Sequence, residues 1–169
     1  MPMIPFMERF PGVGARETRL VTVPQRQDLP EGEYGFVELY CDEPDCDCRR
    51  VMIDVLRPAT GWSKVWATMS YGWETLDFYR QWSGSDPVPI KGPYLDPLNP
   101  QTKHSSALLN LFRFLIQSPE YVARLQQHYQ MFRESINRAD NRSDIQEANR
   151  IENRRKHLRN LRRRRRHSR

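Results

Sequence analysis

The chain has 169 residues, of which 38% are hydrophobic and 28% charged, with a formal net charge of +6. That length suits one domain with appendages, and the low apolar share predicts that part of the chain lies outside any core. No apolar run approaches the roughly 20 residues needed to cross a bilayer; the longest, Leu108 to Ile116, is broken by Asn110 and Arg113.

Charge is unevenly divided. Residues 1–141 hold 15 basic and 18 acidic side chains, whereas residues 142–169 hold 12 basic and 3 acidic. The basic character therefore belongs to the C-terminal tail, and the rest is not a basic nucleic-acid module. The N-terminus mixes apolar residues with Pro2, Pro5, Glu8 and Arg9 and lacks the basic-then-apolar pattern of a signal peptide, so a cytoplasmic protein without membrane contact is expected.

In chain order, residues 1–30 contain five prolines and little periodicity. They predict a proline-containing arm with one extended piece at Arg19 to Val23. Three strands follow. Tyr34 to Tyr40 alternates, with Tyr34, Phe36, Glu38 and Tyr40 on one side and Val37 and Leu39 on the other. Arg50 to Leu56 is β-branched and apolar. Ser63 to Tyr71 places Val65, Ala67 and Met69 on one face and Trp66 and Thr68 on the other. Short connections favour an antiparallel three-stranded meander.

The pattern then becomes helical. Thr75 to Trp82 predicts a short helix, 83–101 a loop, and Ser105 to Gln117 a helix with a wide apolar face. Ser118 followed by Pro119 reads as an N-cap with proline at the first helical position. The next helix carries Tyr121, Val122, Leu125, Tyr129, Phe132 and Ile136 at three- and four-residue steps. Residues 143–146 have capping-box spacing, so a basic helix or coil is expected to follow. The expected fold is α+β: a small sheet packed against two or three C-terminal helices, with the domain at 31–140 and the tail at 141–169.

Three cysteines, Cys41, Cys46 and Cys48, fall within eight residues between the first two strands. An odd, clustered set without a secretion signal points to metal rather than disulfides. Zinc accepts tetrahedral thiolates, and Pro44 with its neighbouring aspartates suits a turn that folds the sulfurs together. Arg49 and Arg50 are placed to favour thiolates. The local motif lacks a fourth ligand; His104, His128, a nearby aspartate or a water are the candidates. An iron–sulfur cluster and inert buried thiols are the competing readings.

The stretch Tyr34 to Val55, with YCxxxxCDCRRV inside it, resembles a widespread group of uncharacterised bacterial proteins. Ala67 to Glu74 (ATMSYGWE) and His128 to Ile136 (HYQMFRESI) are similar to that group too. The resemblance implies no activity. In cysteine density the segment also resembles SEC-C metal-binding modules, without their CxC followed by a distant Cys-His or Cys-Cys pair.

The tail concentrates Arg154, Arg155, Lys156, Arg159, Arg162, Arg163, Arg164, Arg165 and Arg166. Such a run binds phosphates by charge and counterion release, without base specificity, so RNA, DNA or another polyanion is the expected partner. A solvated extension is the plainer reading. Trp62, Trp66, Tyr71, Trp73 and Trp82 suggest either core or an aromatic contact face. No GxSxG, P-loop, HExxH or GxGxxG occurs, and no catalytic residue is nominated. Three functions follow: a zinc-stabilised non-enzymatic module with a polyanion-binding tail, a small zinc hydrolase or transferase with an open three-cysteine site, or a protein-interaction adaptor.

Overall fold

The computed structural model describes residues 2–60, 64–84 and 90–138, together with Gln146, Arg150 and Arg154. The chain falls into two units, Met1–Arg133 and Glu134–Arg169.

The first unit is built on strand β3 (Gly32–Cys41), whose alternating sequence makes one face aromatic. Tyr34, Phe36 and Tyr40 on that face are fully buried. Strands β4 (Arg50–Leu56) and β5 (Val65–Gly72) continue the sheet antiparallel, aligning Phe36 with Val55 and Val55 with Ala67, then Glu38 with Ile53 and Ile53 with Met69. Helix α4 (Ser105–Leu115) and helix α5 (residues 119–133) bring Leu108, Phe112, Leu125 and Phe132 into the same buried set. The Phe112 ring meets Phe36, Tyr71 and Tyr121 at 5.9–6.4 Å between centroids. Fully burying one such side chain contributes about 1.5–3 kcal/mol.

The sheet is larger than the expected meander. It has six strands in one antiparallel sheet, because β1 (Met3–Pro5) and β2 (Arg19–Val23) share the outer edge of β3 and β6 (Gly92–Leu95) adds to β5. Between β1 and β2 lie two short helices, α1 (Phe6–Arg9) and α2 (Pro11–Glu17). Residues 2–30 are thus largely regular structure rather than an arm. Their prolines stand at element ends: Pro5 closes β1, Pro11 is the first residue of α2, and Pro24 follows β2. At such positions the missing N–H costs little.

β6 falls inside the expected 83–101 loop. Beyond it, the Gln101 side-chain amide donates to Thr68 O at 2.8 Å, extending hydrogen bonding along β5. In β5 the alternation slips. Leu56 aligns with Val65 and Val55 with Ala67, so Trp66 is an extra, bulged residue. Its ring packs edge-on against Tyr34 at 5.9 Å. The bulge places Val65 opposite to Ala67 and Met69, contrary to simple alternation.

Helix α3 (Leu76–Ser83) begins where Thr75 Oγ1 accepts from Phe78 N and stops at Gly84 in the left-handed conformation. Ser118 Oγ accepts from Tyr121 N at 3.3 Å, the cap expected before Pro119. In the second unit, residues 134–138 are helical, as are Gln146, Arg150 and Arg154, and all three of these single positions are exposed. Most of the arginine run, Arg155 to Arg166, lies outside the described residues, as do Trp62 and Ser63.

Candidate metal centre

β3 ends on Cys41 and β4 begins at Arg50, so residues 42–49 must reverse the chain while carrying two cysteines. Cys46 N donates to Glu43 O at 3.2 Å and closes a tight turn. Arg49 adopts φ +41°, in a region that disfavours side chains and needs support from its surroundings. That support is specific. Arg49 N donates to Tyr129 Oη at 3.4 Å, and Arg49 O accepts from Tyr79 Oη at 2.7 Å. The guanidinium pairs with Asp47 at 2.9 Å and Glu74 at 3.2 Å.

The three sulfurs lie within 4.8 Å of one another and can hold a metal ion. Cys41 and Cys48 are 0% exposed and Cys46 9%, so any open side of the group is at Cys46. Bonds of about 2.3 Å to a tetrahedral ion would set the sulfurs roughly 3.8 Å apart. A contraction of at most about an ångström closes the difference.

Burial pushes the Cys46 thiol up to about 12, with Cys48 and Cys41 adding to the rise. Burial likewise raises Cys48, with Cys41 adding; Arg50 opposes this. Arg50 therefore acts as the sequence suggested, whereas Arg49 is committed to Asp47 and Glu74. On their own the Cys46 and Cys48 thiols hold their protons. A bound cation reverses that balance by pairing with the thiolates.

The loop is clamped from several elements. Arg133 of α5 donates to Glu43 O at 2.7 Å and also to Pro44 O. Arg9 of α1 pairs with Asp42, and Asp42 N donates to Pro2 O. Tyr129 Oη donates to Asp47 Oδ1 at 3.1 Å. Gly72 makes room for Tyr79, since a Cβ there would meet Tyr79 Oη at 2.5 Å and collide with Ile90 O.

The chain matches no known protein family, no curated protein and no solved structure.

Both histidines expected as a fourth ligand are engaged elsewhere. His128 is 2% exposed, with Nδ1 2.7 Å from Glu38 Oε2 and Nε2 3.1 Å from Glu17 Oε2. Its ring stacks on Phe6 at 4.2 Å. With a carboxylate at each nitrogen it has no lone pair facing the cysteines. His104 Nδ1 lies 2.8 Å from Asp28 O, and its ring stacks on Trp66. Asp47, a nearby acidic candidate, is held by Arg49 and Tyr129. Among the described residues the metal-competent group consists of Cys41, Cys46 and Cys48.

The aromatic residues are mostly packing elements. Trp66 is buried, and Trp73 meets Tyr129 edge-on at 5.4 Å. Sequence reasoning missed Arg133, Tyr79, Tyr129, Arg9 and Gly72. Three of the five lie in two stretches singled out above: Gly72 in Ala67 to Glu74, and Tyr129 and Arg133 in His128 to Ile136.

Proposed function

We propose that this chain is a small zinc-stabilised, non-enzymatic module whose arginine-rich C-terminal segment binds a polyanion. The observation that carries the reading is the convergence of three buried sulfurs on a loop clamped by Arg133, Arg9 and Tyr129. Zinc is the preferred ion because it suits thiolate donors and tolerates the geometry of a short loop. Its contribution is to tie β3, β4 and their connecting loop together, since a site absent from the unfolded chain converts binding into folding free energy.

Cobalt(II) replacement tests this reading. Metal-free protein given cobalt should develop thiolate charge-transfer absorption and the strong visible bands of a tetrahedral ion, one equivalent per chain. A spectrum no different from hexaaqua cobalt defeats it.

One observation favours a second reading. The described residues supply three ligands, and three protein ligands with an exchangeable fourth position is the arrangement of catalytic zinc. If the fourth position is open, azide will shift the visible cobalt bands. If it is closed by a fourth protein donor, azide will leave them unchanged, and the hydrolase or transferase reading falls.

The polyanion assignment is supported by charge: 12 basic against 3 acidic residues after position 141. Binding to RNA through phosphate contacts weakens steeply with salt. Removing residues 142–169 is expected to abolish salt-sensitive RNA binding, and unchanged binding after truncation counts against it.

A further inference from the structure

The sheet's second face carries a concave groove of about 540 Å³, lined in part by Pro5 of β1, Met7 of α1, Ala15 of α2 and Leu20 of β2. Its floor includes Val37, Leu39 and Leu56, and Met7, Leu20 and Val65 stand around it. These last three are all exposed, 36–51% by surface, although large and apolar. The volume lies within the range of roughly 300–1,000 Å³ typical of small-ligand sites. Ten described residues line the groove, and among them Asp54 is the ionisable one.

Asp54 sits between Val37 and Thr68 across the sheet, half-buried. Thr68 Oγ1 donates to its Oδ1 at 2.7 Å. Among the described residues no lysine, arginine or histidine pairs with it. Burial raises its pKa above the usual carboxylate value, and Asp96 adds to the rise, against Thr68. A carboxylate partly withdrawn from water into an apolar wall without a counter-charge loses solvation that a cation would offset. The groove therefore lacks one thing chemically: a cation attached to an apolar body.

We propose that the groove is a binding site for a small apolar amine, its ammonium on Asp54 and its hydrocarbon part on Val37, Leu39 and Leu56. A carboxylic acid would bring like charge to Asp54. A neutral alcohol would fill the groove but leave the carboxylate uncompensated. A protein partner is disfavoured by size, because a stable protein interface takes roughly 20–30 residues a side, twice what lines this groove. The proposal does not depend on the metal centre.

The test is a titration of the full chain, followed by amide chemical shifts at pH 7, with three matched probes: hexylamine, hexanol and hexanoate. Hexylamine should perturb Val37, Leu39 and Asp54, and bind about tenfold tighter than hexanol, as a charge-assisted hydrogen bond implies. Hexanoate should bind more weakly than hexanol. Asp54→Asn retains an acceptor for Thr68; it should cost hexylamine about tenfold and leave hexanol within about twofold. Ala15→Trp, at an exposed position on the rim, should block both probes without lowering the melting temperature. Equal affinity for hexylamine and hexanol, indifference to Asp54→Asn, or no binding by any probe would each overturn the proposal.

Discussion

In the sequence His128 is a candidate metal ligand, although a satisfied core or boundary position is the commoner role for a histidine beside an apolar helix stripe. The structure gives it the second role. Both ring nitrogens face carboxylates, Glu38 from β3 and Glu17 from α2, so the ring joins α5 to the sheet and to the N-terminal helices. Burial alone would lower its pKa, but the bonds and charges of Glu38 and Glu17 outweigh burial and raise it. A histidine raised on folding contributes stability that is fully present below its unfolded value of about 6.5 and is lost as pH rises through the folded value. Urea melts of the wild type should therefore show stability falling above pH 6.5, and His128→Gln should lack that decline. An identical pH slope in both proteins contradicts the role. No sequence feature marks Glu17 and Glu38 as its partners, because they lie 111 and 90 residues away. The cysteines were legible because their spacing is local. The expectation for Cys48→Ser is loss of bound metal and a lower melting temperature; retention of a full equivalent of metal would remove Cys48 from the site.

At the level of elements, legibility tracked how local the determining physics is. Arg19 to Val23 and Arg50 to Leu56 match β2 and β4 to the residue, and Ser118 caps α5 as its sequence suggested. β1 and β6 were missed because three or four residues carry too little periodicity to announce a strand. The bulge at Trp66 was missed because it follows from pairing register, which one strand's sequence does not contain. The helix layer gives a quantitative check. Phe112→Ala should destabilise by about 3–5 kcal/mol, whereas Phe114→Ala, two positions on and 68% exposed, should cost under about 0.5 kcal/mol in urea unfolding. Similar losses for both would mean α4 does not pack as described. Arg133 tests the clamp between α5 and the cysteine loop. Arg133→Ala frees the Glu43 and Pro44 carbonyls, and supports of this kind cost about 10–100-fold in metal affinity when removed. Competition with a chromogenic chelator would measure it, and unchanged affinity would assign Arg133 to packing alone.

The whole molecule divides its charge unevenly. Residues 1–141 are slightly acidic and residues 142–169 strongly basic, and the described chain separates into units at Arg133. On this account the first unit supplies a fold and a metal centre, and the tail supplies electrostatic attachment. Composition alone reveals the division of charge, whereas the six-stranded sheet depends on contacts composition does not encode. The most direct measurement of the account is the metal content of protein purified without chelator, by elemental analysis, paired with its melting temperature before and after stripping. About one zinc per chain and a marked fall in melting temperature on removal are expected. Protein that is metal-free after growth in zinc-rich medium, and melts at the same temperature with or without chelator, would contradict it.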